Sequence, residues 1–292
     1  MIDRTYFEPA DLEQARSMLA GAEGLRIVAG GTDLVVAARS GKAPLPERLM
    51  AIHRVEELIG LDSDAGGGLR IGALTTHGDL ETSAAVTQTW TALSDASALV
   101  GSPATRHVGT VGGNVCNASP AMELGSPLLV FEASIELASG GGFRSVPFSS
   151  FVTGPGRTSA QPGDLMTAVV LPPLQGPGRV GSAYIRLEYR LAMEIAIVGA
   201  AAMVRLDETD RCIDVRVALT AVAPTCVRAA QTEEMLRGET IDPGLLERAA
   251  SAATASASPI DDVRASADYR RAMVPVLVRR ALTRALDRAK PN

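Results

Sequence analysis

Arg26-Ile27-Val28-Ala29-Gly30-Gly31-Thr32-Asp33-Leu34 is the stretch from which the fold is read, and Gly109-Thr110-Val111-Gly112-Gly113-Asn114-Val115 answers it further along the chain. In both, apolar β-formers lead toward a glycine pair, a hydroxyl (Thr32, Thr110) flanks it, and a polar side chain (Asp33, Asn114) follows. A glycine pair admits φ > 0 and removes the Cβ atoms that would hold a ligand away from the peptide N–H groups. Consecutive N–H groups in such a turn form an anion-binding concavity, and a helix starting just after it adds a favourable dipole. One such turn is ordinarily only a tight turn. Two with matched surroundings suit a ligand with two phosphates, and neither is the common dinucleotide fingerprint.

Around the first turn the pattern is α/β. Asp11 is a candidate N-cap with Gln14 three residues on, and Leu12, Ala15 and Leu19 share one helix face. Strands are expected over 25–29 and 48–52, with a short helix over 33–39 between them. A second lobe opens with a strand over 69–73. Helices follow over 76–85 and 91–100, then the second glycine turn and a short helix between 120 and 130. Strands over 134–138 and 143–147 flank Ser139-Gly140-Gly141-Gly142, a hairpin signal, and 165–171 reads as a last strand. Pro172-Pro173-Leu174-Gln175-Gly176-Pro177-Gly178 is the best linker. Beyond it, three strands (183–187, 196–206, 213–222) precede helices over 232–237, 243–257 and 267–290.

Composition removes several function classes. A chain of 292 residues, 46% hydrophobic and only 3% aromatic, is globular with an aliphatic core. Its net charge of −5 offers no attraction to a polyanion, so nucleic acid is not expected. No apolar run reaches the roughly 18 residues of a membrane span. The start Met1-Ile2-Asp3-Arg4-Thr5-Tyr6 lacks a signal peptide's regions, so a cytoplasmic location is expected. Cys116, Cys212 and Cys226 form no CxxC pair and cannot hold an all-cysteine cluster, and His53, His77 and His107 show no metal-ligand spacing. No metal site is expected in this chain.

Two further patterns have bland readings. Gly176-Pro177-Gly178-Arg179-Val180-Gly181 matches GxGxxG, but it follows a diproline and Pro177 lacks the N–H that a phosphate would need. Arginines dominate the segment 264–290 (Arg264, Arg270, Arg271, Arg279, Arg280, Arg284, Arg288). The default reading is a solvated helix face, and a docking surface for an acidic partner is the alternative.

Together the motifs resemble the FAD-binding medium subunits of the molybdenum hydroxylases, the family of the carbon monoxide, nicotinate and xanthine dehydrogenase flavoproteins. The resemblance rests on Val28 to Leu34, on Ile71-Gly72-Ala73-Leu74-Thr75-Thr76, and on Thr110 to Asn114 running into Ala118-Ser119-Pro120. Weaker matches are Arg190-Leu191-Ala192-Met193-Glu194-Ile195-Ala196 and Ala267-Asp268-Tyr269-Arg270-Arg271-Ala272-Met273. It implies an α+β fold: a two-lobed FAD-binding domain of the PCMH/VAO type over 1–175 (lobes about 1–56 and 57–175), then a C-terminal domain over 178–292 with a three-stranded antiparallel sheet and helices. It implies that Val28, Ala29, Gly30, Gly31, Thr32, Asp33 and Leu34, with Thr110, Val111, Gly112, Gly113 and Asn114, wrap the pyrophosphate and ribityl chain of a non-covalent FAD. Glu123 matches an acidic residue that reaches FAD, usually Asp. Met166 and Arg186 fall near positions lining the flavin from the third lobe. Ile195 stands beside the isoalloxazine, where some relatives have Tyr, which leaves the flavin face more open.

The bare residues also allow Asp33 to be an N-cap and Glu123 a helix-start acid, and Arg106 and His107 to be either surface groups or charges near the phosphates. No acid–base dyad or activated nucleophile is visible, so catalytic residues are not expected here. The family logic puts molybdopterin on a large partner subunit and [2Fe–2S] clusters on a small one, as a dimer of heterotrimers. The FAD subunit then passes electrons to NAD⁺, a quinone or another acceptor. Two other readings stay open: a stand-alone FAD oxidase or dehydrogenase of a small molecule, and a non-catalytic accessory protein of the same fold.

Overall fold

The computed structural model describes residues 5–21, 23–174, 176–190 and 192–290. Residues 1–4, on which the reading of the N-terminus partly rests, and Gln175 and Leu191, which fall within the quoted linker and the 190–196 segment, lie outside the described residues.

The first lobe is a small parallel sheet. β1 (Thr5–Phe7), α1 (Leu12–Leu19), β2 (Leu25–Val28), α2 (Thr32–Arg39) and β3 (Arg48–Ala51) follow in order, and the sheet runs β1-β3-β2 with both pairings parallel. Asp11 caps α1 as its position implied, its carboxylate accepting from the Gln14 N–H at 2.8 Å. This lobe's core is modest: Ala15, Leu19, Met50, Val55 and Leu58.

The second lobe is built on an antiparallel sheet ordered β4-β5-β10-β6-β7, from β4 (Leu61–Ser63), β5 (Leu69–Gly72), β6 (Ser134–Ser139), β7 (Gly142–Pro147) and β10 (Leu165–Leu171). A small hairpin, β8 (Val152–Gly154) with β9 (Arg157–Thr158), projects from it. Between β5 and β6 come α3 (His77–Thr82), α4 (Ala84–Thr89), α5 (Thr91–Ser97), α6 (Pro103–Arg106), α7 (Val111–Asn117) and α8 (Gly125–Val130). A short α9 (Phe148–Phe151) follows β7. The single helix expected over 76–85 ends at Thr82, because Ser83 turns extended (φ −62°, ψ 128°). Helix α6, not anticipated, is set by Ser102 as N-cap and Pro103 in the first turn.

The third unit carries the expected antiparallel strands, β11 (Arg179–Leu187), β12 (Val198–Leu206) and β13 (Cys212–Thr220), with a two-residue β14 (Val227–Arg228) at the edge. Helices α10 (Ala230–Leu236), α11 (Pro243–Ala252) and α12 (Ala267–Ala289) complete it. All nine residues of β12 are buried, because the pleat sends alternate side chains into two layers. Ala200, Ala202 and Val204 join the core under α12, while Ala201 and Met203 join the core of the second lobe. The third unit's sheet thus packs directly on the second lobe. At Gly176 and Gly178 φ is positive (+116° and +104°), and a Cβ on Gly178 would overlap the Leu206 carbonyl, so this glycine-rich turn serves the entry to β11.

Candidate functional site

The two glycine pairs have different backbones. In the first, Gly31 is left-handed (φ 69°, ψ 5°) and forms the N-cap of α2 with no side-chain cap. The first α2 hydrogen bond runs from the Val35 N–H to the Gly31 carbonyl at 2.9 Å. Among the described residues, no acceptor meets the N–H groups of Gly30, Gly31, Thr32, Asp33 or Leu34. A row of free donors at a helix start is an anion site in waiting. Asp33 is not the N-cap: it lies inside the first turn of α2, and desolvation raises its pKa.

The second pair is not left-handed. Gly112 and Gly113 lie inside the first turn of α7, whose N-cap is Thr110, and the Thr110 hydroxyl accepts from the Gly113 N–H at 3.1 Å. The Val111 N–H donates to the Thr75 carbonyl at 2.9 Å and the Gly112 N–H to the Ala73 carbonyl at 2.8 Å. These donors are spent inside the chain, which corrects the expectation of two equivalent phosphate cradles. The glycines also remove Cβ atoms for a different reason from the one expected. A Cβ on Gly112 would stand 2.8 Å from the Ala73 oxygen, and one on Gly30 would overlap the Val108 carbonyl. At both positions it is the chain's own backbone that comes close.

That close approach brings the two motifs to one seam. A Cβ on Gly109 would lie 3.4 Å from His77 Cδ2 and 3.7 Å from Thr32 Oγ1. The His77 N–H donates to the Gly109 carbonyl at 3.1 Å and fixes the first residue of α3 there. Asn114 Oδ1 is buried with no partner among the described residues, an orphan acceptor that asks for a ligand donor. Arg106 is committed elsewhere, to Glu81 at 2.7 Å.

Glu123 and Arg186, named separately from the sequence, meet. Arg186, on β11, donates to Glu123 Oε1 at 2.5 Å and to Glu188 Oε2 at 2.5 Å, with its side chain almost wholly buried. Burial pushes the Glu123 carboxyl up to about 7 despite the Arg186 charge: one guanidinium serves two carboxylates. Met166 lies on β10, so it belongs to the second lobe and not the third. Its sulfur sits 3.6 Å from the Cys116 Sγ of α7. Ile195 is 45% exposed in the loop between β11 and β12. That loop is tied to the second lobe by the Met193 N–H, which donates to the Gly101 carbonyl at 3.1 Å.

Sequence reasoning passed over His77. It is 2% exposed, its Nδ1 is buried without a partner, and burial together with Arg106 lowers its pKa to about 4. Its place directly after Thr76, the N-cap of a capping box with Asp79, was the available signal. A cavity of about 340 Å³ lies elsewhere, at the linker, between Pro172, Leu174, Arg205 and Arg216. Arg216 there is paired with Glu132 and Asp214. The basic C-terminal helix is less a solvated face than a packed one: buried Arg270 donates to the Ile197 and Ala221 carbonyls, Arg288 and Arg284 pair with Asp95 of α5, and Arg279 pairs with Glu247. Among the described residues no cluster of His, Cys, Asp and Glu fits a metal ion, and no helix is long and apolar enough to cross a membrane.

Comparison with known proteins agrees with this geometry. Residues 2–174 match the model of the FAD binding domain in molybdopterin dehydrogenase, and residues 183–285 that of the CO dehydrogenase flavoprotein C-terminal domain. The chain is 30% identical to the xanthine dehydrogenase FAD-binding subunit of Escherichia coli O157:H7, over 98% of this chain and 97% of that one. It is 32% identical to the carbon monoxide dehydrogenase medium chain of Hydrogenophaga pseudoflava, over 97% of each. Among solved structures, the carbon monoxide dehydrogenase of Hydrogenophaga pseudoflava lacking the Mo-pyranopterin moiety superposes with a TM-score of 0.92 at 30% identity, covering 98% of both chains. Quinoline 2-oxidoreductase from Pseudomonas putida 86 gives 0.90 at 28% identity, again over 98% of both.

Proposed function

This chain belongs to the FAD-binding subunits of the molybdopterin dehydrogenases, and we propose that it is the electron outlet of such a complex, with FAD seated at the seam of its two glycine motifs. Electrons arrive from [2Fe–2S] clusters on a small partner subunit, which receives them from a molybdopterin subunit that oxidises the organic substrate. They leave to NAD⁺, a quinone or another acceptor. The bound flavin supplies the redox chemistry, accepting and releasing electrons singly or in pairs.

The chain's own residues bind and orient. The observation that carries the reading is the row of unpartnered N–H groups from Gly30 to Leu34, with the orphan Asn114 Oδ1 across the seam. Those N–H groups and the α2 dipole would hold the diphosphate without covalent attachment. Asn114 and Thr110 would face the ribityl side. Val28, Ala29, Val111, Gly112 and Gly113 would shape the floor, because their packing fixes how closely the lobes approach. The Glu123–Arg186 pair and Met166 would back the site, and Ile195 would control access from the exposed loop. The same reading divides the chain at the linker into units of 1–175 and 178–292. It places the protein in the cytoplasm, where its three free cysteines would stay reduced. The assembly would be a dimer of heterotrimers.

The test is purification of the chain alone and with its neighbours. Alone it should be yellow, release all its flavin as FAD on acid treatment, and show at most slow diaphorase activity. Tagged in its native host, it should bring down an iron–sulfur subunit and a molybdenum subunit. Robust substrate oxidation by the single chain, or FMN in place of FAD, would overturn the reading.

A further inference from the structure

His77 occupies a position that packing alone does not explain. Its ring is buried, and among the described residues neither ring nitrogen has a hydrogen-bond partner: Nδ1 is enclosed, and no donor or acceptor meets Nε2. A neutral imidazole carries one N–H, and an unpaired N–H costs least on the nitrogen that is not fully enclosed; Nδ1 is enclosed and Nε2 is not. The proton therefore belongs on Nε2. That atom is bonded to Cδ2, the ring atom that faces Gly109 and, across it, Thr32 Oγ1. The backbone of His77 is fixed by its N–H bond to the Gly109 carbonyl and by the Thr76–Asp79 capping box at the start of α3.

We propose that His77 is a diphosphate-binding residue: its Nε2–H donates to the FAD phosphates from the side of the seam opposite the free N–H groups of Gly30 to Leu34. The proposal rests on the FAD reading above and adds a third kind of donor to it. A neutral imidazole suits the place. It donates directionally to a phosphate oxygen, while the nearby Arg106 is already paired with Glu81 at 2.7 Å and makes no contact of its own there. Burial and Arg106 keep the free imidazole neutral at physiological pH, so the donor requires no proton uptake to be ready.

The experiment uses the full chain stripped of flavin, titrated with FAD and separately with ADP, which carries the diphosphate but no isoalloxazine. His77→Leu should weaken both ligands by roughly tenfold or more, the scale of one lost hydrogen bond to a charged group, and His77→Gln, which keeps an N–H, should recover part of it. The ligand-free leucine variant should be no less stable than wild type near neutral pH, since it replaces an unsatisfied buried group. Unchanged affinity for both ligands overturns the proposal, and so does a loss for FAD with none for ADP, which would put His77 against the isoalloxazine. If the leucine variant does not fold, the wild type decides. The Nε2–H resonance of His77 should shift and its exchange slow when ADP is added, and an unmoved resonance overturns the assignment. Failure of the wild type to bind FAD at all is a different result, and would remove the flavin reading itself.

Discussion

The two glycine motifs look alike on paper and do different physical work. At the first, a left-handed Gly31 (φ 69°) leaves five successive N–H groups, from Gly30 to Leu34, without acceptors among the described residues at the start of α2. At the second, Gly112 and Gly113 are helical, their helix start is capped by Thr110, and the Val111 and Gly112 donors are held by Thr75 and Ala73. The first is built to receive an anion. The second is built to let a helix lie against the end of β5, so that the first motif has a wall to face. A glycine pair therefore signals either an unusual φ or a close backbone approach, and only the partners of its N–H groups tell which.

Substitution should separate these roles, and the largest effect is expected at Gly112. A Cβ there meets the Ala73 oxygen at 2.8 Å and the Ala73 Cβ at 2.9 Å, with the rest of a valine still to be placed. Gly112→Val should destabilise the flavin-free chain by about 3 kcal/mol or more, as overpacking against backbone does, and thermal denaturation without ligand reads it. Intact stability with lost FAD would reverse the comparison.

The pH dependence of stability comes next, because two buried groups beside the site tilt it in opposite directions. His77, lowered to about 4, binds its proton less readily folded than unfolded, so its contribution is full above about 6.5 and is lost as pH falls toward 4, about 3 kcal/mol in all. Glu123, raised to about 7, does the reverse: its contribution is full below about 4.5 and is lost as pH rises through about 7. Against wild type, His77→Leu should gain relative stability on acidification, and Glu123→Gln should gain it on going alkaline. Denaturant titrations across pH check both, and parallel curves for all three proteins would mean that neither group titrates as its burial implies.

Gly31→Ala should act through φ alone, since its Cβ would have room, 3.6 Å from Val28 Cγ1. A left-handed alanine costs about 1–2 kcal/mol of fold stability, and FAD affinity should fall by more than that, because the relaxed turn re-aims the N–H row. Equal stability loss with unchanged affinity would say that the row is not the cradle. Smallest of all is Gly113→Ala. Its Cβ comes to 3.0 Å from the Thr110 hydroxyl that caps α7, and alanine's better helix propensity offsets a strained cap. A net change under about 1 kcal/mol with FAD binding retained is expected in equilibrium unfolding and flavin titration.

Much of the fold was legible because its signals are local. The Asp11 cap, the glycine-rich hairpin between β6 and β7, and the continuous apolar run that became β12 each depend on neighbours a few residues away. The place of the first motif was legible for the same reason: a strand, a glycine pair and a helix start are consecutive. What escaped depends on partners far along the chain. Nothing near Gly112 announces that the Ala73 carbonyl takes its N–H, and nothing near Glu123 announces Arg186. His77 was only partly legible: the Thr76–Asp79 capping pattern marks the helix start beside it, while burial without a partner is a property of the packed seam. Met166, which the resemblance implied to act from the third lobe, sits in the second, on β10, a strand that the sequence did show.

Backbone amide hydrogen exchange on the full chain, free and loaded with FAD, tests the division of labour between the two motifs most directly. The amides of Thr32, Asp33 and Leu34 should exchange fast in the free chain and become protected on loading, while those of Val111 and Gly112 should already be protected in the free chain and change little. Protection gained at Val111 and Gly112, with none at Thr32 to Leu34, would contradict the account.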